Sequence, residues 1–411
     1  MTEWVTNTIT NIFCPRRTVV KKKLYSLLSL LIVVSVLVAA CGMAATPTAA
    51  PAPTEPPPTA IPTEPPPTEV PPTEAPTEVP WTAPESALVS VKADTAPALD
   101  GVADEAAWAD APATEIEVSG GMNFDGKGGT TATLKSVYVG DMVYFLVSYE
   151  DPTESFFRSP WQKLEDGTWK KIKDPNDKGG DNNSVYEDKF ALIWPINNSI
   201  EKFDAQGCFA ACHAGENPDL KPYGNKYTGG EGQMGDIWHW KSIRNLNQID
   251  DQYLDWTKVD TSSPEAQAKT IEAGRHSDPK DSGGYADNVN EAKDGPAFIF
   301  PGIDFVTGAP GFIIDGEKVA IDPAAIKPNE YVPGIIKSEI VGDRGDIAAG
   351  WKYADGKWTI EFGRKLVTAS EKYDVQFDDL TATYYFGLAI FENAQVRHAY
   401  ENGSSPFVFK P

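Results

Sequence analysis

The chain has 411 residues and a formal net charge of −23, from 36 basic and 59 acidic side chains. Its composition is uneven, because five basic residues lie before Leu24 and 15 of the 34 prolines lie between Pro47 and Pro84. Without residues 1–40 the chain carries 31 positive and 58 negative side chains, a net charge of −27. Such an acidic surface repels phosphate backbones and excludes nucleic acid as a partner, whereas a cationic protein, a metal or a neutral ligand stays compatible with it.

Residues 1–40 have the pattern of a lipoprotein signal peptide. Arginines and lysines up to Lys23 precede an apolar run of 17 residues, Leu24–Ala40, which is short for a membrane-spanning helix and typical of a secretory segment. Small residues directly before Cys41 resemble the bacterial lipobox, in which the cysteine is acylated and the chain is cut before it. We therefore expect an exported lipoprotein, anchored to the membrane through Cys41 on the periplasmic or cell-surface side. An ordinary signal anchor is the alternative.

Residues 41–84 are predicted to be a disordered linker behind the lipidated cysteine. Pro-Thr-Glu units repeat from residue 46 onward, and such a tract buries no core and stays extended. At ~3 Å per residue it reaches up to ~100 Å from a membrane. The pattern indicates a stalk that carries the folded part of the chain, residues 85–411.

Residues 85–411 are predicted to be mainly β, an antiparallel β-sandwich with long irregular insertions. Alternating apolar residues at Thr131–Val139 and Met142–Tyr149 flank a Gly-Asp turn and predict a hairpin. A helix is indicated only near Pro264–Ala273. Polar segments at 153–186 and 215–300 are expected to be irregular insertions that carry function. Further strands are predicted at Lys189–Ile196, Trp351–Tyr353, Lys357–Phe362 and Thr383–Phe391.

One motif carries recognisable chemistry. Cys208 and Cys212 are separated by three residues, and His213 follows directly. The usual haem-attachment signature is Cys-x-x-Cys-His, in which two thiols bond the haem vinyl groups and the adjacent histidine binds the iron. The extra residue lengthens the loop and leaves the Cys-His pair intact. The motif therefore predicts one covalent haem c. A Cys208–Cys212 disulfide and a Cys/His metal site remain alternatives.

Several stretches together resemble one family, the haem-binding domain related to the gamma subunit of ethylbenzene dehydrogenase, with its exported c-type members. The resemblance implies a β-sandwich related to DOMON domains and family-nine carbohydrate-binding modules, which binds one haem and transfers electrons. In non-covalent members methionine and lysine bind the iron, and the Cys-x-x-x-Cys-His segment departs from that pattern. The similar stretches are Leu99–Trp108, Tyr149–Asp151, Asp236–Lys241, Gly356–Leu366 and Ala389–Tyr400.

The resemblance and the motif together suggest the haem ligands. His213 is the expected proximal ligand of the iron. His398 lies roughly where the family's C-terminal lysine would be and is the first choice for the distal ligand, with Met234 as the alternative. On a strand, Trp238 and Trp240 share one face and His239 points the other way, so the tryptophans either wall the haem or pack in the core. Arg244, Arg275 and Arg364 are candidates to pair with haem propionates.

The sequence thus favours a lipid-anchored monohaem cytochrome c that transfers electrons to or from a partner protein with a basic docking surface. Two iron ligands favour electron transfer over stand-alone catalysis, and the domain could serve a larger oxidoreductase as its haem module. The alternative is a carbohydrate- or surface-binding lipoprotein with the same fold and a Cys208–Cys212 disulfide. In that case Trp161 and Trp169 would be exposed to stack on sugar rings.

Overall fold

The structure is a computed structural model that describes residues 81–177, 180–212 and 226–411. The predicted signal peptide, Cys41, nearly all of the predicted linker and His213 lie outside these residues. In the described ranges no helix is both long and apolar enough to cross a membrane.

Strands dominate the described residues, and the few helices are short. The α-helices are α1 (Ala106–Ala109), α2 (Phe203–Gln206) and α3 (Pro264–Thr270), and α3 confirms the one predicted helix. Short 3₁₀ helices lie at Ile196–Asn198, Gly207–Ala210, Asp315–Glu317, Pro323–Ala325 and Asp343–Gly345. The first strands are β1 (Leu88–Lys92), β2 (Thr114–Ser119), β3 (Thr130–Val139), β4 (Met142–Glu150), β5 (Trp161–Lys163), β6 (Trp169–Lys171), β7 (Lys189–Pro195), β8 (Gly235–Lys241), β9 (Asp250–Leu254) and β10 (Arg275–Ser277). The later strands are β11 (Ser282–Asp287), β12 (Phe298–Ile299), β13 (Phe312–Ile314), β14 (Val319–Ala320), β15 (Tyr331–Val332), β16 (Ile335–Val341), β17 (Ala348–Ala354), β18 (Lys357–Lys365), β19 (Tyr384–Phe391), β20 (Ala399–Glu401) and β21 (Ser405–Phe409).

A 13-stranded sheet folds over one core and forms the predicted sandwich. Its strand order is β10-β9-β8-β7-β19-β20-β2-β3-β4-β18-β17. Strand β1 pairs in parallel with β21 and with β3, and β21 also pairs with β19. Side chains from both halves of the sheet meet in the main apolar core. Smaller sheets, β11-β16-β13, β12-β14 and β15-β5-β6, lie in the connections.

The hairpins form where local turn chemistry predicts them. Strands β3 and β4 pair in antiparallel register from Ala132 opposite Tyr149 to Val139 opposite Met142. Strands β17 and β18 are joined by Asp355 and Gly356, which both have positive φ (54° and 77°). That geometry is the preferred two-residue hairpin turn, because its twist matches the twist of the strands.

The strands that position the site are buried on both faces. Along β7, β8 and β19 the inward side chains are large and apolar, and they fill the sandwich core with aromatic contacts. Their outward side chains are covered by loops instead of facing water. These inward residues are Phe190, Leu192, Trp194, Trp238, Trp240, Phe386, Leu388 and Ile390.

Two expectations need correction. The segment 215–300 is not wholly an insertion, since it contains β8 and β9 of the main sheet. All seven residues of β8 are buried, so its sequence lacks the alternation that marks a strand with one wet face. Trp161 is not exposed either: its side chain is 5 % exposed and packs with Ile326 and Val332.

Candidate functional site

A cavity lies over the outward face of β7, β8 and β19, on the side away from the sandwich core. Its volume is about 120 Å³, smaller than the ~300–1,000 Å³ typical of cofactor sites. Its lining is mainly apolar and includes two cysteines and two histidines. The residues that line it are Ala191, Leu192, Ile193, Cys208, Cys212, Lys226, Ile237, His239, Arg275, Gly387, Ala389, Phe391, Gln395, Val396 and His398.

The floor of the cavity follows from strand register. Ala389 on β19 lies opposite Ala191 on β7, and Ala191 lies opposite His239 on β8. Two methyl side chains next to the imidazole leave a low strip across the floor, and the larger side chains of Ile193, Ile237 and Phe391 flank it. Gly387, two residues along from Ala389, contributes no side chain at all. The floor can therefore accept a flat apolar group close to the sheet.

The cysteine segment covers one end of this floor. Gly207 has a φ of +51°, and a Cβ on it would lie 1.7 Å from the carbonyl oxygen of Gly403, so only glycine allows this close approach. The 3₁₀ helix Gly207–Ala210 places Cys208 against β19. A Cβ on Gly387 of that strand would lie 2.8 Å from the Sγ of Cys208. Cys208 carries a free thiol, so the two cysteine sulfurs are not bonded to each other. Cys212 lines the same cavity.

Burial determines the charge state of Cys208. Desolvation raises the pKa of its thiol well above the usual value, and the neighbouring Cys212 and Glu401 raise it further. Burial also raises the pKa of Glu401 to about 7, although Ser405 and the backbone N–H of Leu388 donate hydrogen bonds to it. The Cys208 thiol is therefore neutral at physiological pH.

His239 is a buried imidazole with one unused nitrogen. Its Nδ1 lies 3.3 Å from the Oε1 of Gln252, whereas its Nε2 is buried and has no hydrogen-bond partner among residues 81–177, 180–212 and 226–411. Desolvation holds its pKa well below the ordinary value, and the charges of Lys241, Lys189 and Arg275 lower it further. The ring is therefore neutral. A buried unpaired nitrogen costs free energy, and a ligand in the cavity would remove that cost.

His398 enters the same cavity from the loop after β19. Its Nδ1 lies 2.9 Å from the carbonyl oxygen of Val396, to which it donates in the tautomer that carries the proton on Nδ1. The Oδ1 of Asn183 accepts hydrogen bonds from the backbone N–H groups of Val396 and Arg397 and holds the loop in place. Its ring centroid is 4.5 Å from that of Phe391. A backbone carbonyl on one imidazole nitrogen is the usual support of a metal-binding histidine.

Several residues predicted for the site lie elsewhere. Trp238 and Trp240 are fully buried in the sandwich core. Because successive side chains on a strand point to opposite faces, His239 between them lines the cavity instead. Met234 precedes β8, near Ser199, and does not line the cavity. Arg244 is held by the buried carboxylate of Glu187 (Nε–Oε1 2.5 Å) and also lies outside it. His398 is therefore the predicted distal ligand that the structure brings to the two cysteines.

Two basic side chains, Arg275 and Lys226, line the cavity. Lys189 is buried beside it with its Nζ 4.0 Å from the centre of the Phe391 ring, and burial lowers the pKa of Lys189 well below the ordinary value. Arg275 is thus the propionate candidate that reaches the cavity, whereas Arg364 pairs with Asp236 and Asp374 in the interior. Cationic side chains next to an apolar floor suit a flat apolar ligand with an anionic edge.

The donor set matches the chemistry of covalent haem. Two thiols within one cavity provide for two thioether bonds, imidazoles are iron ligands, and the apolar floor suits the porphyrin face. Among the described residues, no group forms a hydrogen bond with the buried Nε2 of His239 at the wall of this cavity. In the sequence, His239 stands between two tryptophans. Because successive side chains on a strand point to opposite faces, this order indicated that His239 points away from the core when both tryptophans point into it.

Comparison with known proteins places the chain in context. The family model described as ethylbenzene dehydrogenase matches residues 105–403. Two solved structures of a family-nine carbohydrate-binding module from Caldicellulosiruptor kristjanssonii, in complex with cellotriose or glucose, are each 8 % identical to this chain. The cellotriose complex covers 79 % of this chain and 93 % of its own, with a TM-score of 0.28. The glucose complex covers 78 % and 95 %, with a TM-score of 0.25. No curated protein matches the sequence.

Proposed function

We propose that this chain, which belongs to the ethylbenzene dehydrogenase family, holds one covalent haem c in the cavity over β7, β8 and β19 and transfers electrons. The observation that carries the proposal is the meeting of Cys208, Cys212, His239 and His398 in one apolar cavity. These residues come from three separate parts of the chain, yet each contributes a group that haem attachment or iron binding uses.

Each residue has a defined part in holding the cofactor. Cys208 and Cys212 would form the two thioether bonds to the haem vinyl groups, since both thiols line the cavity. His213 is the proximal iron ligand and His398 the distal ligand, with His239 as the competing imidazole. A haem with two protein ligands supplies reversible one-electron chemistry and leaves no iron position for a substrate.

The remaining residues control the surroundings of the cofactor. Ala191, Gly387 and Ala389 provide the low strip of the floor, and the loop with His398 limits the access of water. Arg275 and Lys226 pair with the propionates through charge-assisted hydrogen bonds. Burial and the identity of the second ligand are the two means by which this protein sets the reduction potential.

The proposed location follows from the first part of the chain. Residues 1–40 direct export, Cys41 carries the lipid anchor, and the stalk holds the domain away from the membrane surface. The net charge of −27 beyond residue 40 suits a basic redox partner, because opposite charges steer the encounter of the two proteins. The carbohydrate-binding alternative requires exposed Trp161 and Trp169, but Trp161 is buried and Trp169 is half-buried with the Nζ of Lys163 4.6 Å from its ring centre.

The test is the colour of the protein. The full chain is produced with its own leader in a bacterial host that matures c-type cytochromes, then reduced, and its absorption spectrum is recorded before and after acid-acetone extraction. Sharp reduced α and β bands that stay with the protein support the proposal. The double variant Cys208→Ser/Cys212→Ser should lose the covalent haem completely. A colourless protein in which Cys208 and Cys212 are bridged overturns the proposal.

The distal ligand is tested with three matched histidine variants. His398→Ala should convert the low-spin spectrum of the purified protein to a high-spin one and allow carbon monoxide to bind the reduced form. If His239→Ala gives that result instead, His239 is the ligand. His276→Ala is the control, since His276 pairs with Asp255 and stacks on Tyr253 outside the cavity. A band near ~695 nm in the oxidised protein, the mark of a Met–iron bond, would restore Met234.

A further inference from the structure

A second buried polar region lies on the opposite, inward side of β8. One carboxylate oxygen from each of Asp236, Asp251 and Asp374 lies within 4.8 Å of the others, and all three residues are buried. Asp236 comes from β8, Asp251 from β9 and Asp374 from the connection between β18 and β19. Such a group of oxygens is compact enough to bind one ion, because calcium ligands lie ~2.3–2.6 Å from the metal.

Hydrogen bonds orient these carboxylates through one oxygen only. The Oδ2 of Asp236 accepts from Trp238 Nε1, Arg364 Nη1 and the N–H of Val375, at 2.9, 3.1 and 2.9 Å. Its Oδ1 is buried and accepts from no described group. Asp251 and Asp374 repeat the arrangement. Asp251 accepts from Gln252 N through Oδ1, Asp374 accepts from Thr368 Oγ1 through Oδ2, and each has a second oxygen that is buried without a partner.

Asp278 is a fourth buried carboxylate beside this group. It follows β10, it is 3 % exposed, and no N–H or hydroxyl group among the described residues donates to its oxygens, whose side-chain partner is the carboxyl group of Asp374. Its backbone N–H donates to the carbonyl oxygen of Asp251, and its carboxylate is one of the charges that raise the pKa of Asp251. A fourth buried carboxylate therefore faces the same group of oxygens.

The charges of this region do not balance. Four carboxylates, Asp236, Asp251, Asp278 and Asp374, face one guanidinium, that of Arg364, which bonds Asp236 and Asp374 at 3.1 and 3.3 Å. Unbalanced buried charge is strongly unfavourable unless a proton or a cation compensates it. A divalent cation would compensate two of the three excess negative charges and give the unpaired oxygens a partner.

We propose that Asp236, Asp251, Asp278 and Asp374 bind one calcium ion that ties β8, β9 and the 366–375 connection together. Calcium suits the site because it accepts six to eight oxygen ligands in irregular geometry, whereas magnesium retains water and needs octahedral geometry that a dry cage does not offer. The site is separate from the cavity on the other face of β8. It is therefore independent of the proposed electron transfer.

Proton binding and calcium binding compete at this site. Burial raises the pKa of Asp236 to about 7 and of Asp278 to about 9, and it raises the pKa of Asp251 and Asp374 as well. Without calcium, these groups stabilise the fold at low pH, and that stability is lost as the pH rises from about 4 through about 7 to 9. Calcium needs the deprotonated carboxylates, so its effect grows over the same interval. The other charges near the group are Arg364, Asp343 and Asp346.

The experiment measures metal content and thermal unfolding of the purified full-length protein. Elemental analysis should find one calcium per chain. At about pH 8, calcium at ~100-fold its dissociation constant should raise the Tm by about 5 °C relative to chelator, and the shift should vanish near pH 5. Asp251→Asn and Asp278→Asn should each abolish the calcium shift and raise the Tm measured in chelator, because each removes an excess negative charge.

The matched control is Asp100→Asn in the other acidic group, Asp100, Glu105 and Glu361. There Glu361 accepts from Trp108 Nε1 and from the N–H of Gly101, at 2.7 and 2.8 Å, so its oxygens have partners. This variant should keep the full calcium shift. The proposal is overturned if the protein contains no calcium and has the same Tm in calcium and chelator, or if the shift persists in both Asp251→Asn and Asp278→Asn.

Discussion

The two faces of strand β8 carry buried polar groups of opposite electrostatic character. On the outward face, burial depresses the pKa of His239, and Lys241, Lys189 and Arg275 lower it further, so that its ring is neutral. On the inward face, burial raises the pKa of Asp236 and Asp251, and the neighbouring carboxylates raise both further. One strand thus separates a cation-rich cavity from an anion-rich cluster, although Asp236 and His239 are only three residues apart.

The difference shows what each face is able to bind. Thiols and neutral imidazoles over an apolar floor favour a transition-metal cofactor with an anionic edge, whereas unpaired carboxylates favour a hard cation. In both places the proposed ligand would meet buried polar atoms to which no N–H or hydroxyl group of the described residues donates, at His239 Nε2 and at the Asp oxygens. Charge alone then distinguishes the class of ligand.

The largest expected effect is on the inward face. Arg364→Met removes the guanidinium between Asp236 and Asp374, which are both buried. Leaving buried carboxylates without their partner should lower the free energy of unfolding by about 3–5 kcal/mol. The loss should be greater at pH 8 than at pH 5, because protonation of these raised-pKa groups relieves the repulsion. Urea unfolding in chelator measures both values.

Arg397→Met is the matched control for that substitution. Arg397 pairs with Asp181 at 3.4 Å on the surface, where an ion pair contributes little. We expect a change below about 0.5 kcal/mol. If the two arginine variants lose similar stability, the inward cluster is not the strongly coupled group described above.

The second effect is on the cavity floor. Gly387→Val places a side chain where a Cβ lies 2.8 Å from the Sγ of Cys208, so the cysteine segment must move away from β19. Overpacking of this kind should cost about 1–3 kcal/mol of unfolding free energy and reduce the fraction of chains that retain covalent haem. Gly316→Ala is the control, because a Cβ there meets nothing within 4 Å. Unchanged haem content in Gly387→Val would contradict the proposed place of the thioether.

The smallest effect concerns the charge state of His239, measured in the haem-free Cys208→Ser/Cys212→Ser protein. Burial lowers its pKa in the folded state, so below about pH 6.5 the proton binds mainly to the unfolded chain and stability is lost as the pH falls. His239→Leu removes this loss. Relative to its parent, the variant should therefore gain about 1 kcal/mol between pH 7.5 and pH 5.5 by chemical denaturation.

His276→Leu is the corresponding control for His239→Leu. It removes an ion pair with Asp255 outside the cavity, at an Nε2–Oδ2 distance of 3.3 Å, and it should not give the gain at acid pH. An equal gain in both variants would mean that the buried position of His239 is not the cause.

The sequence predicts those strands whose pattern is local. The β3–β4 and β17–β18 hairpins have alternating residues and turn residues of the required type, so neighbours in the chain determine them. Strand β8 has no alternation of buried and exposed side chains, since packing covers both of its faces. Its place in the main sheet depends on pairing with β7 and β9, and β7 lies some forty residues away in the chain.

The site was predictable where a local motif brings residues together. The spacing of Cys208 and Cys212 predicted one site for both, and they line one cavity with His398; their attachment to haem stays a prediction. The direction of a side chain depends on strand register, which explains why Trp238 and Trp240 face the core and His239 the cavity. The inward cluster could not be predicted, because Asp236, Asp251 and Asp374 come together only through the tertiary fold.

Strand β1 has a consequence for the timing of folding. Leu88 pairs with Phe407, almost at the other end of the chain, and Ser90 pairs with Ser136 as β1 joins β21 to β3. In the proposed exported protein, β1 can pair with β3 early, but the sheet cannot close until Phe407 has also crossed the membrane. Long-range pairing of this kind slows folding. A chain that stops short of Ser405 would leave both β1 and β19 with an open edge, which is a template for aggregation.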